Sequence, residues 1–219
     1  MSTRIYLPSR AAEDWRDLLA DPQGQWRRGY SAMAAALSWQ AAEGSLPPEI
    51  AALLPPAPEL LLALPEHKVA LPGGTRPSQC DVFALVRIST ETCALAVEAK
   101  VNEPFGPTLA DWLTPATPGK TQRLASICEL LGLDSPPSTI RYQLLHRTAA
   151  AVIEAQRFGT DRAAMIVQSF AQDHRWFADF EAFASLFGKA PAGGEARSAP
   201  LPCGRALTLG WATGDPQFL

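Results

Sequence analysis

The chain has little that points to a membrane or to secretion. No apolar run approaches the roughly 18 residues that a spanning helix needs. The N-terminal MSTRIYLPSRAAEDW also lacks the apolar centre of a signal peptide. We therefore expect a cytoplasmic protein with no membrane partner. Cysteine is sparse: Cys80, Cys93, Cys128 and Cys203 lie far apart and form no CxxC pair, which argues for reduced thiols and against a zinc site. His67 and His174 have no ligand-spaced partner. Basic charge is not in surplus either. With a formal net charge of −3, charge balance alone implies no nucleic acid, and only a local basic patch would. Internal repeats are absent. The skew to arginine over lysine, with abundant alanine and proline, reflects base composition of the gene rather than function.

What is present suffices for one core. The 219 residues are 47% hydrophobic, and the simplest organisation is a single domain over 1–219. Residues 1–25 read as a lead-in with one short helix, AAEDWRDLLAD, ended by Pro22 and Gly24. Good helix formers at 26–43 predict a longer helix that stops at Gly44. The leucine- and proline-rich run at 46–65 predicts a pair of short helices, and HKVAL at 67–71 a brief strand closed by Gly73 and Gly74. After a hairpin at 78–100, the prolines and glycines of 101–119 predict a long loop. Helices follow at 120–133 and at 141–158, where Leu144, Leu145, Thr148, Ala149, Val152 and Ile153 make an apolar stripe. The strand RAAMIVQSF then crosses back to the sheet. An aromatic helix at 173–187, a linker at 189–202 and a last strand, RALTLGWAT, complete the chain.

The chemistry concentrates in the hairpin SQCDVFALVRISTETCALAVEAK. Both strands are apolar on both faces, the pattern of a strand covered on two sides, yet they carry Asp81, Glu98 and Lys100. A turn at Thr90 and Glu91 sets Asp81 opposite Lys100 and Phe83 opposite Glu98. Glu98 and Lys100 are two apart and share a face, which Asp81 joins through the pairing. Such a cluster is either a structural ion pair or a site for a hard divalent cation, which takes carboxylate oxygens and keeps several waters. Gln143 and Arg147 lie one turn apart beside the stripe of the later helix, placed to hold an anion or a strand carboxylate. For Arg147 and His146 the alternative is an exposed polar face. Glu103 would lie at the rim, as a third carboxylate or as a solvated loop residue. Gln40 and Glu43 end the first long helix, as a solvated face or reaching toward the sheet.

The order helix, three strands in a meander, helix, strand, with an acid on the second strand and ExK on the third, resembles the PD-(D/E)XK nuclease superfamily. The resemblance covers roughly 26–170, with 171–219 as a helix, linker and strand packed on that core. It implies a restriction endonuclease-like α/β fold with a mixed sheet and an αβββαβ core. It also implies that Asp81 and Glu98 hold Mg or Mn, that Lys100 serves the attacking water, and that DNA or RNA is hydrolysed. Cys80 stands where a proline usually precedes the acid. Some members carry an acid on the early helix, for which Glu43 is the candidate and Gln40 a poorer one. Others carry a glutamine on the later helix, which Gln143 resembles without its downstream tyrosine. The blocks SQCDVFAL, EAKVNEPFGP and RYQLLHRTA also resemble a group of uncharacterised bacterial proteins. Three functions stay open: a metal-dependent phosphodiesterase acting on nucleic acid, an inactive nuclease-like module binding protein, nucleic acid or a second copy of itself, and an enzyme acting on a small phosphate compound.

Overall fold

Strand alternation organises the molecule, for which a computed structural model describes residues 11–219. The first part of the predicted lead-in, residues 1–10, lies outside the described residues. After a 3₁₀ segment at Ala12–Leu18, α1 (Pro22–Gln25) precedes α2 (Ser31–Ala41). The predicted helix at 26–43 thus starts late, because Gly29 adopts a φ of 78° and turns the chain before α2 begins.

Correction is larger at 46–65. Only α3 (Pro48–Ala51) is helical there, and Pro58–Val69 is one strand, β1. Proline misdirects the pattern. Pro58 opens the strand, while Pro65 is tolerated because β1 lies at the edge of the sheet. β1 pairs antiparallel with β2 (Ser78–Ile88), and β2 with β3 (Glu91–Lys100). The hairpin turn sits at Ser89–Thr90, one residue earlier than expected, with Ser89 in the left-handed region at φ 57°. Val82 therefore faces Val97 and Phe83 faces Ala96, not Glu98. The error in pairing is two residues. A shift of two leaves every side chain on its face, whereas a shift of one would have exchanged the faces.

The expected loop after β3 contains a helix, α4 (Leu109–Leu113), nucleated by a capping box in which Thr108 and Asp111 bond reciprocally. Next come α5 (Pro118–Leu131) and α6 (Tyr142–Phe158), which end at the left-handed residues Gly132 and Gly159. Close packing ties α5 to the β1–β2 loop. A Cβ at Gly73 would stand 2.5 Å from the Gly119 carbonyl, and one at Gly119 would stand 2.7 Å from that of Gly73. β4 (Arg162–Ser169) runs parallel to β3. α7 (Phe177–Ala184) begins later than expected because His174 and Trp176 take positive φ of 52° and 71°. The predicted linker holds a further strand, β5 (Ala196–Pro200), paired antiparallel with β6 (Ala206–Thr213).

The sheet order is β1-β2-β3-β4-β6-β5, with β4 and β6 parallel. This is a mixed α/β fold in which the strand and helix order partly resembles αβββαβ. One face packs on α5 and α6, where Leu144, Leu145 and Val152 are fully buried, each contributing about 2 kcal/mol. The other packs on α2 and α3 through Ala36, Trp39 and Ile50. Among the described residues no helix is long and apolar enough to cross a membrane.

Candidate active site

β1, β2 and β3 carry three acids at matching pairing positions. Glu66 falls between the pairs Pro65–Val82 and His67–Cys80, which sets it opposite Asp81. Continuing the pairing of Val82 with Val97 sets Asp81 opposite Glu98. Glu98 lies on the face packed on α6, near the carboxyl end of β3, where ligands of open α/β sheets commonly bind. An open cleft of about 400 Å³ is lined by Glu66, Asp81, Glu98, Lys100, Gln143 and Arg147 among others.

Glu98 is buried and heavily contacted. Its Oε1 accepts from Lys100 Nζ at 2.5 Å and from Gln143 Nε2 at 2.7 Å, and its Oε2 from Arg147 Nε at 2.5 Å. The one-turn spacing of Gln143 and Arg147 puts both on the same side of α6, as their sequence positions predict. Arg147 is buried, with Nη1 donating to Ser78 Oγ at 2.8 Å, so the exposed-face alternative does not hold for it. It does not hold for His146, whose Nδ1 lies 2.8 Å from Ser78 Oγ. Asp81 accepts from the Ala99 amide at 2.6 Å through Oδ2, and its Oδ1 takes no hydrogen bond among the described residues. Glu66 accepts from Gln79 Nε2 at 2.6 Å.

These contacts separate the three carboxyls electrostatically. Burial opposes ionisation of Glu98, but Arg147 and Lys100 outweigh it and hold the group down at about 2. Asp81 is pushed up to about 7, first by burial and then by the Glu98 charge. Glu66 is pushed up to about 8, by burial and by Asp81. Three acids thus face two cations, and the cluster lacks the positive charge to keep all three ionised near neutral pH.

Not every expected residue joins the cluster. Glu43 is exposed just beyond α2 at a φ of 48° and does not line the cleft, because the chain turns away there toward α3. Glu103 lines it but is neither a solvated residue nor aimed at the other acids. It accepts from Ser31 N at 2.8 Å and Oγ at 2.5 Å, and so caps α2. Glu66 and Ser78 were not anticipated. Reading β1 as a strand paired with β2 would have brought Glu66 beside Asp81, although the positive φ of 52° at Glu66 breaks the regular alternation there.

The donor set fits a hard cation through two carboxylates rather than three ligands. An ionised carboxylate offers about four acceptor positions. Three are filled on Glu98 and one on Asp81, so both retain capacity. Among the described residues no group of three or more His, Cys, Asp or Glu is arranged to hold an ion. A magnesium-like ion with one or two carboxylates and several waters does not require one.

No curated protein and no solved structure matches the chain. A family model described as a domain of unknown function, DUF6946, matches residues 8–216. The match covers the sheet, both helical layers and all six cleft residues named above, and the chain belongs to the DUF6946 family.

Proposed function

We propose that this chain is a metal-dependent phosphodiesterase acting on nucleic acid, of the PD-(D/E)XK type. The observation that carries this reading is the convergence of Asp81, Glu98 and Lys100 in one open cleft, with Gln143 reaching Glu98 from α6. Asp81 and Glu98 would hold Mg or Mn, which when bound polarises a phosphate oxygen and lowers the pKa of a water. Glu98 stays ionised because Arg147 and Lys100 face it. Gln143 and Arg147 lock its rotamer. Lys100, held between Glu98 and the Phe105 ring 5.2 Å away, presents an ammonium that stabilises charge developing on phosphate or orients the attacking water.

One observation favours a second reading, an inactive module that binds a partner. Lys100 and Arg147 already neutralise Glu98 from within. The test is calorimetric titration of manganese into wild type, Asp81→Asn and Glu98→Gln, each checked for folding by circular dichroism. Hydrolysis of labelled DNA and RNA is then measured with Lys100→Ala as control. Binding and hydrolysis lost in folded variants support the enzyme. No manganese binding at millimolar metal, with or without DNA, refutes it.

A further inference from the structure

A second cleft, of about 590 Å³, adjoins the first and has the opposite electrostatic character. Lys68 of β1, Arg76 before β2, Arg123 of α5 and Arg147 of α6 line it, and no Asp or Glu does among the described residues. In a chain of net charge −3 this is a local concentration of positive charge. Its members are not equally free. Arg147 is engaged by Glu98 and Ser78, and Arg123 Nε donates to the Pro72 carbonyl at 2.9 Å. Lys68 and Arg76 are exposed and have no ion pair or side-chain hydrogen bond among the described residues.

A neutral donor joins them. Ser78 Oγ accepts from Arg147, and both Ser78 Oγ at 2.8 Å and the obligate donor Arg147 Nη1 at 3.4 Å face His146 Nδ1, an arrangement that suits an unprotonated Nδ1 accepting the hydroxyl proton. That leaves the ring proton of neutral His146 on Nε2, which takes no partner among the described residues. Burial, and after it Arg147, holds His146 well below its ordinary value, so the ring stays neutral in this setting. Arg147 also forms part of the wall between the clefts, with Gln79, Pro104 and Gln143 lining both. A phosphodiester set against Asp81 and Lys100 would have its neighbour across that wall.

We propose that the basic cleft is a phosphate subsite in which Lys68, Arg76 and His146 Nε2–H hold the phosphate group next to the one in the acidic cleft. The identity of that neighbour rests on the nuclease reading; the phosphate binding does not. The phosphate comes either from a nucleic-acid strand or from a free phosphate ester.

The test is anisotropy of a fluorescein-labelled single strand of about 12 nucleotides, titrated in EDTA from about 50 to 200 mM salt. Wild type, Lys68→Ala/Arg76→Ala and Arg76→Lys are compared. Two lost phosphate contacts lower the log–log salt slope by about 1.4 for a single strand, with affinity down on the order of tenfold at the low-salt end. Arg76→Lys keeps the wild-type slope. Competition by inorganic phosphate and by a mononucleotide identifies the source: displacement at submillimolar concentration assigns a free phosphate ester, and displacement only by unlabelled strand assigns nucleic acid. An unchanged slope and affinity in the double variant overturns the subsite even where manganese-dependent hydrolysis is observed. Failure of wild type to bind strand, mononucleotide or phosphate overturns it too. A reduced slope without any hydrolysis upholds the subsite and refutes the nuclease.

Discussion

Replacing Arg147 by methionine keeps most of the side chain's length and removes its charge. The Glu98 carboxylate then stays buried with Lys100 and Gln143 on Oε1 and nothing on Oε2, and Ser78 Oγ loses its donor. Breaking a buried pair by removing one partner costs about 3–5 kcal/mol, which in a chain of this size lowers Tm by roughly 10 °C. The loss depends on pH. In wild type the Glu98 carboxyl is held down at about 2, so its stabilisation is present above the ordinary carboxyl range and disappears as pH falls from about 4.5 toward 2. Arg147→Met removes most of that depression, and the two stability curves should converge over the same interval. Urea denaturation of wild type, Arg147→Met, Glu98→Gln and the double variant closes a thermodynamic cycle. A coupling of about 2 kcal/mol at neutral pH is expected. A single-variant loss below about 1 kcal/mol, with a difference that does not change with pH, would show that Lys100 alone holds Glu98 and would refute the role given to Arg147.

Glu66→Gln should act in the opposite sense. The Glu66 carboxyl is raised to about 8, so in wild type its contribution is present below the unfolded value and lost as pH rises to about 8. The glutamine variant should be the more stable of the two in alkaline solution and equal to wild type near pH 4, as read by thermal unfolding. Gly73→Ala meets the Gly119 carbonyl at 2.5 Å and carries a φ of 76°, which predicts a loss of about 2–4 kcal/mol. Gly106→Ala, at φ 70° with nothing within 4 Å of the added carbon, should lose only the conformational part, about 1–2 kcal/mol in urea.

The face of the hairpin was legible because its period is two. Asp81, Glu98 and Lys100 stay together under either register, so placing the turn one residue late did not scatter the cluster. Gln143 and Arg147 were legible for the parallel reason, a spacing of four on a strongly amphipathic helix. Glu66 was hidden behind a misassigned strand: PELLLALP alternates poorly, and its two prolines suggested breaks that an edge strand absorbs. β5 was hidden because ARSAP carries no apolar pattern and is held only by pairing with β6. Glu43 was proposed for its nearness in sequence to the end of a helix. Whether the chain past that end heads toward the sheet or away from it depends on backbone angles at Glu43 and Gly44 that composition does not encode.

The alternation of β3 also restricts how the gene can drift. Deleting one codon between Cys93 and Val97 would swing Glu98 and Lys100 to the side packed on α2, into apolar contacts with no partner for either charge. Deleting two would keep them facing α6, but two pairing positions nearer the turn, with Glu98 opposite Phe83 instead of Asp81. Length changes at Ser89–Thr90 leave both strands as they are. In relatives that keep the cluster, gaps should therefore collect at that turn and be absent from the strand between Cys93 and Lys100.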